Sequence, residues 1–179
     1  MPYKVTQTDL IYKGRVFNVR VDLVELPDGR KARLDIVEHS GAVTLIPLDE
    51  DQRIWFVRQY RHAIGREILE LPAGVVEEGE IPEECAQREA REEIGMAAGH
   101  FQKVGEFFLA PGYSTEHMHV FLATGLYSSP LPGDADEMLS VEQMPVERVY
   151  EMVEEGAFQD SKTLAALILA QGYIRNSGK

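Results

Sequence analysis

The feature that most constrains this chain is a glycine-containing loop followed by a helix with three glutamates on one face. The loop begins at Gly74, and the helix carries Glu89, Glu92 and Glu93. An α-helix turns once every 3.6 residues, so side chains three and four positions apart project from the same face. Like charges at these spacings repel and lower helix stability. We therefore interpret these carboxylates, with Glu80 upstream, as ligands for a divalent cation, because hard oxygen donors select Mg²⁺ or Mn²⁺.

The alternative interpretation is a solvated acidic face, which is the usual explanation for a glutamate-rich helix. Three apolar residues argue against it, because Ala86, Ala90 and Ile94 form a stripe that would pack on a core. Pro82 suits the first helical turn and Gly95 can close the last one. The pattern predicts a helix from Pro82 to Ile94, with its acidic face beside a buried face and at the mouth of the loop.

The segment from Gly74 to Met96 resembles the Nudix box. That pattern is a glycine, five residues, a glutamate, seven residues and then Arg-Glu-aliphatic-any-Glu-Glu-any-Gly-aliphatic. Every fixed position is matched, and the one mild departure is Ala90, which is smaller than the usual aliphatic residue. The resemblance implies an α/β fold, the Nudix α/β/α sandwich with a mixed β-sheet and, here, an N-terminal β-hairpin subdomain. It also implies two or three Mg²⁺ ions, or Mn²⁺, held by the Ala73 carbonyl, Glu89, Glu92 and Glu93.

Composition narrows the set of partners. The 179 residues suffice for a core, and 18 basic against 30 acidic residues give a net charge of −12. That charge disfavours nucleic acid and anionic membranes as partners. No run approaches the roughly 18 apolar residues of a membrane-spanning helix, and we expect no signal peptide. Cys85 is the only cysteine, which excludes an intrachain disulfide and predicts a small buried side chain in a cytoplasmic protein.

Hydrophobic patterning predicts mixed strands and helices. The first 38 residues read as strands, with one strand over Arg15–Leu26, a turn at Pro27-Asp28-Gly29 and a return over Ala32–Val37. We assign residues 1–38 to a dimerising β-strand region and 39–179 to the hydrolase domain. The other predicted strands are Ala42–Leu48, Ile54–Tyr60, Val104–Leu109, Met118–Thr124 and Ser140–Glu142. One predicted helix contains Val146–Val153 and ends at Gly156; a second has Ser161 as N-cap and an apolar face of Leu164, Leu167 and Ile168.

Two arginines precede the box. The stretch containing Arg58 and Arg61 is similar to the corresponding region of ADP-ribose pyrophosphatases, where an arginine at the Arg61 position contacts the diphosphate. A guanidinium presents a planar, permanently charged fork to phosphate oxygens, which suits that task. The alternative is that both arginines merely pair with acids of this acidic chain.

A loop after the box marks a subfamily. Pro111 lies 16 residues after Gly95, a placement typical of the ADP-ribose branch of the family. The resemblance implies a substrate-side loop that contains Gly112 and Glu116. A plain Pro-Gly turn is the alternative interpretation.

The general base is expected in the acidic loop Gly133–Leu139, which resembles the loop that supplies the base in ADP-ribose hydrolases. Glu137 matches the base position. Ala135 stands where family members often have another acid, so Asp134, Asp136 and Glu116 stay as alternatives, as does a solvated acidic turn. The resemblance also implies that Glu92 and Arg88 are catalytic, Arg88 by orienting the carboxylates.

The function implied is Mg²⁺-dependent hydrolysis of ADP-ribose to AMP and ribose 5-phosphate. A broader nucleoside-diphosphate-sugar hydrolase, acting for example on GDP-mannose, is one alternative. A non-catalytic ADP-ribose sensor is another, although degenerate domains of that kind lose carboxylates that this box keeps. The resemblance further implies a homodimer that exchanges N-terminal strands, with Tyr12 or Phe17 helping to hold the adenine bound to the other subunit. Otherwise the hairpin simply edges its own sheet.

Overall fold

The computed structural model describes residues 3–133 and 138–177, and its internal contacts divide the chain into two units. The N-terminal unit consists of the chain up to Gly41 together with Phe107–His117. The larger unit consists of Ala42–Glu106 and the chain from Met118 onward. The domain boundary expected after residue 38 stays a prediction.

The N-terminal unit contains a three-stranded antiparallel sheet in the order β1-β2-β3, formed by Lys4–Lys13, Asn18–Glu25 and Lys31–Glu38. The predicted turn between β2 and β3 is confirmed: the Gly29 N–H donates to the Leu26 carbonyl at 2.9 Å, and Gly29 has a φ of 83°. The sequence pattern did not predict where strand β1 begins and ends. All ten of its residues are exposed, so no apolar alternation marks it as a buried strand.

The larger unit is built on a seven-stranded mixed sheet. Its central path is β10-β5-β4-β9-β8, with β6 paired to β5 and β7 paired to β4. Strands β4 and β9 are parallel, whereas β4 and β5 are antiparallel. The strands are β4 Ala42–Leu48, β5 Arg53–Arg61, β6 Arg66–Glu70, β7 Ala73–Val75, β8 Met96–Phe108, β9 His117–Ser128 and β10 Leu139–Pro145.

Helices cover both faces of this sheet. Helix α1 is Pro82–Glu93, α2 is Val146–Glu154 and α3 is Ser161–Ser177. All seven residues of β4 are buried, which requires cover on both faces of that strand. Both α1 and α3 contact β4, and Val43 and Leu45 belong to the same core cluster as residues of α1. The predicted α/β/α sandwich with a mixed sheet is therefore confirmed. Among the helices described, none is long and apolar enough to span a membrane.

Two predictions for α3 are wrong. Ser161 is the first helical residue rather than the cap, because the Asp160 carboxylate accepts a hydrogen bond from the Thr163 N–H at 3.0 Å. Ile168 is 57% exposed, so it does not belong to the buried face. The helix is apolar around much of its circumference, and periodicity alone could not select the buried side. The buried apolar residues of the helix are Ala166, Leu167, Ala170 and Ile174.

Candidate functional site

The glycine loop is tied to the centre of the sheet before it reaches the acidic helix. Strand β7 pairs antiparallel with β4, and the Leu45 N–H donates to the Pro72 carbonyl at 3.0 Å. The Thr44 hydroxyl donates to the same carbonyl at 3.2 Å. These bonds hold the backbone of Ala73 and Gly74 in one place, opposite α1.

Loop and helix are in direct contact through two buried glutamates. A Cβ atom at Gly74 would lie 1.8 Å from Oε1 of Glu89, so only glycine leaves room for that carboxylate. The Ala73 N–H donates to Oε2 of Glu93 at 2.9 Å. The predicted shared face of Glu89 and Glu93 therefore points at the glycine loop.

Arg88 forms hydrogen bonds with three carboxylates of the cluster, those of Glu80, Glu89 and Glu92. Its Nη1 donates to Glu89 at 2.6 Å and to Glu92 at 2.9 Å, while Nε and Nη2 both donate to Glu80 at 3.0 Å. Nη2 also donates to the Val75 carbonyl at 3.2 Å. One guanidinium thus offsets the like-charge repulsion on this helix face and aligns three carboxylates with the loop.

The pKa values of Glu80 and Arg88 favour the charged form of each side chain. The hydrogen bond from Arg88 is the main cause that lowers the pKa of Glu80, against a smaller opposing effect of burial. The same bond raises the pKa of Arg88 above its ordinary value. Burial raises the pKa of the Cys85 thiol, and its side chain is fully buried, as the sequence predicts for a small packing residue.

Each of the two arginines before the box pairs with a carboxylate. Arg58 donates Nε to Glu142 at 2.5 Å, which links β5 to β10. Arg61 forms a two-bond pair with Glu70, with Nε and Nη2 donating at 2.6 and 2.7 Å. The bond to Glu70 is the main cause that raises the pKa of Arg61, and the charge of Glu93 adds to it. Arg61 therefore lies within electrostatic reach of the acidic cluster.

Glu70 is a site residue that the sequence reading missed. Its side chain is 1% exposed, and it also accepts a hydrogen bond from Lys162 of α3. Lys162 donates to Asp160 at 2.9 Å as well. The sequence does contain a local signal for Glu70, because an acidic residue directly after the apolar residues Ile68 and Leu69 of a strand is unusual. Its partner in α3 is 92 residues away, so no local pattern could identify Lys162.

The loop after the box belongs to the N-terminal unit. It makes a tight turn, because the Ser114 N–H donates to the Ala110 carbonyl at 2.8 Å. The Val37 N–H of β3 donates to the Tyr113 carbonyl, also at 2.8 Å. Gly112 is exposed at the turn, and the Glu116 N–H donates to the Ser114 hydroxyl at 3.1 Å. Their assignment to substrate binding stays a prediction.

The proposed base lies outside the described residues. Glu137 and its alternatives Asp134 and Asp136 belong to residues 134–137, as does Ala135. What the structure does bring together is the box itself: Ala73 and Gly74 of the loop with Glu80, Arg88, Glu89, Glu92 and Glu93. In the N-terminal unit, the rings of Tyr12 and Phe17 lie 6.3 Å apart.

Comparison with known proteins identifies relatives over most of the chain. Residues 38–167 match the family described as NUDIX domain. An ADP-ribose pyrophosphatase of Bacillus subtilis (strain 168) is 36% identical over 166 residues, which is 92% of this chain and 90% of the relative. A methanol dehydrogenase activator of Bacillus methanolicus is 34% identical with the same two coverages. The crystal structure of an ADP compounds hydrolase has a TM-score of 0.87 at 23% identity, covers 99% of this chain and 97% of its own, and shares the fold.

Proposed function

The chain belongs to the NUDIX domain family, and from this premise we propose that it hydrolyses the diphosphate bond of ADP-ribose to AMP and ribose 5-phosphate. The observation that carries the proposal is the closure of the glycine loop on the acidic helix, where the Glu89 carboxylate occupies the space of a Gly74 side chain. The 36% identical ADP-ribose pyrophosphatase of Bacillus subtilis supports the choice of substrate.

The cofactor we propose is Mg²⁺, or Mn²⁺ in its place, with two or three ions per site. The donor set fits, because Glu89, Glu92, Glu93 and the Ala73 carbonyl offer only hard oxygens. The absence of a Cβ at Gly74 supports this fit, since it lets a carboxylate lie directly against the loop backbone. When bound, such ions neutralise charge on the attacking and leaving oxygens of a diphosphate.

The chain's own residues then divide the remaining tasks. Arg61 binds the diphosphate, and Arg58, three positions earlier in the same strand, is a second substrate contact. Arg88 aligns Glu89 and Glu92, so that neither carboxylate has to reorganise during the reaction. Glu137 takes the proton of the attacking water, a task worth roughly 10²- to 10⁴-fold in rate. The turn with Gly112 and Glu116 contacts the substrate.

The test is the rate of AMP release from ADP-ribose in Mg²⁺ by wild type, Glu93→Gln and Glu137→Gln. Both variants should lose roughly 10²-fold or more in kcat, and a chelator should abolish wild-type turnover. Glu83→Gln is the matched control, because Glu83 is exposed in the first turn of the same helix. Near-wild-type turnover by Glu93→Gln would refute the metal site, and activity retained only in Glu137→Gln would refute the base alone.

Two alternative functions can be tested with the same enzyme preparation. A substrate panel ranked by kcat/KM distinguishes ADP-ribose from GDP-mannose, because the diphosphate machinery does not read the sugar. A regulatory role is favoured by the relative named as an activator of methanol dehydrogenase. Calorimetry that showed tight ADP-ribose binding with no AMP formed in Mg²⁺ would support such a role against hydrolysis.

We also propose a homodimer built by exchange of N-terminal strands. The exposed strand β1 supports it, since it presents Val5, Leu10 and Ile11 to solvent. Apolar side chains on an unpaired strand edge need a surface to cover them. Tyr12 and Phe17, also exposed and adjacent, would then hold the adenine bound to the other subunit.

A further inference from the structure

Arg61 belongs to a network of four charged side chains, and the catalytic proposal does not use the other three. Glu70 ends β6, and Asp160 and Lys162 stand at the start of α3. Glu70 accepts hydrogen bonds from both Arg61 and Lys162, and Asp160 accepts one from Lys162 at 2.9 Å. Two positive charges and two negative charges therefore cancel. The Glu70 and Lys162 residues are both buried.

We propose that Lys162 is a positioning residue for Arg61 and acts through Glu70, so that Arg61 presents its guanidinium to the substrate diphosphate in one orientation. The inference rests on the proposed function, in which Arg61 binds that diphosphate. The pair with Glu70 uses Nε and Nη2, so Nη1 is not held by Glu70. The Arg61 side chain is 41% exposed, which leaves one side of the guanidinium open to an anion.

Charge balance explains why a lysine is needed behind the pair. Without Lys162, Arg61 would be the one cation of the network facing two carboxylates, Glu70 and Asp160. A buried charge that loses its partner is strongly destabilised. Arg61 would then be drawn to compensate both acids, and less of its charge would act on a phosphate group. With Lys162 present, the charge of Glu70 is shared between two cations. Glu70 then holds Arg61 in place, and the positive charge of Arg61 can still attract a phosphate group.

Ionisation of Glu70 agrees with this arrangement. Burial acts to raise the pKa of Glu70, but hydrogen bonds from Arg61 and Lys162 outweigh it, and the pKa lies below its ordinary value. Glu70 therefore stays a carboxylate at neutral pH. A carboxylate accepts two parallel N–H bonds from arginine, and this geometry fixes the plane of the guanidinium.

The same turn of α3 is bonded to the segment that leads into the glycine loop. The Leu71 N–H, next to Glu70, donates to the Thr163 hydroxyl at 2.8 Å. Thr163 donates in turn to Asp160 at 2.6 Å. Lys162 thus stands on a fixed support, and its removal has to be tested against a purely structural effect on this segment.

The test is Lys162→Met, which keeps most of the side-chain length and removes the charge. KM for ADP-ribose should rise roughly 10-fold or more, as is typical when a supporting partner is removed, with kcat little changed. In an Arg61→Ala background, Lys162→Met should change KM no further, because the effect passes through Arg61. A structural defect would act in both backgrounds.

Controls keep the result decisive. Arg148→Met removes an exposed cation of α2 that pairs with Glu151 and Glu155, and it should leave KM unchanged. Should Lys162→Met fail to fold by circular dichroism, Glu70→Gln replaces it with the same expectation in both backgrounds. An unchanged KM, or an equal rise with and without Arg61, overturns the inference. Wild type that releases no AMP refutes the proposed function instead.

Discussion

Gly74 shows how one residue couples the loop to the helix. Its missing side chain is the space that the Glu89 carboxylate occupies. Any Cβ there would have to displace this carboxylate or the loop backbone, which two hydrogen bonds at Pro72 hold to β4. Glycine is required at this position by the close approach and not by an unusual backbone conformation.

Gly74→Ala should therefore lower activity more than stability. A Cβ 1.8 Å from Oε1 of Glu89 forces that carboxylate out of place, and a displacement of about 1 Å can cost 10²-fold in rate. The free energy of unfolding should fall only by about 1 kcal/mol, the low end for overpacking, because the atoms that must move are the end of the Glu89 side chain. AMP release and urea unfolding measure the two effects.

Gly172→Ala is the matched control for this substitution. Gly172 lies in α3, where a Cβ meets nothing within 4 Å, so alanine should keep activity and add about 0.5–1 kcal/mol of stability. Turnover by Gly74→Ala at the rate of Gly172→Ala would contradict the contact with Glu89.

At the scale of an element, the first turn of α3 serves two purposes through Asp160. The carboxylate accepts the Thr163 N–H, which is one of the unpaired donors at the start of a helix, and it also accepts a bond from Lys162. The Asp160 side chain therefore both caps the helix and compensates the charge of Lys162. The turn anchors α3 to the end of β6.

Comparison of Asp160→Asn with Asp160→Ala should isolate the contribution of the cap, because both variants remove the charge. Asparagine is as good a cap as aspartate but carries no charge, whereas alanine provides neither. We expect the Asp160→Asn variant to be more stable than the Asp160→Ala variant. Its free energy of unfolding should be higher by about 1 kcal/mol, the usual contribution of a cap. Urea unfolding at neutral pH measures it, and equal stabilities for the two variants would show that the cap contributes nothing.

At the scale of the whole molecule, the N-terminal unit carries an unusual surface. Every residue of β1 is exposed, although the strand pairs with β2 along its length, with irregularities between Val5 and Gln7 and between Leu10 and Tyr12. An exposed strand with apolar side chains is a site for pairing with another chain. A second copy of this chain offers the same strand, and a twofold axis closes the assembly.

The proposed dimer predicts a particle with the mass of two 20.1 kDa chains in sedimentation at micromolar concentration. Leu10→Arg on β1 should shift it toward the monomer and lower the affinity for ADP-ribose, because a buried charge at the interface has no partner. Ile168→Arg serves as the control, since Ile168 is exposed on α3 in the larger unit. A wild-type monomer with full activity would rule out the dimer.

The sequence by itself determined the local parts of this protein. The spacing of Glu89, Glu92 and Glu93 identified helix α1 and its acidic face, because helical periodicity depends only on residues three and four positions apart. Apolar runs placed β4 with the bounds that the structure has. The match to the box also identified Gly74, whose contact with Glu89 joins two adjacent elements across 15 positions of chain.

Only the tertiary structure decided which distant charges meet. The sequence favoured a diphosphate contact for Arg61, and the fold adds the buried pair with Glu70 and the bond from Lys162. It also made β4 and β9 parallel neighbours and selected the buried side of α3. The physical reason is that these contacts depend on sheet order and helix placement, which follow from packing the whole core. No periodicity within a segment encodes a partner 92 residues away.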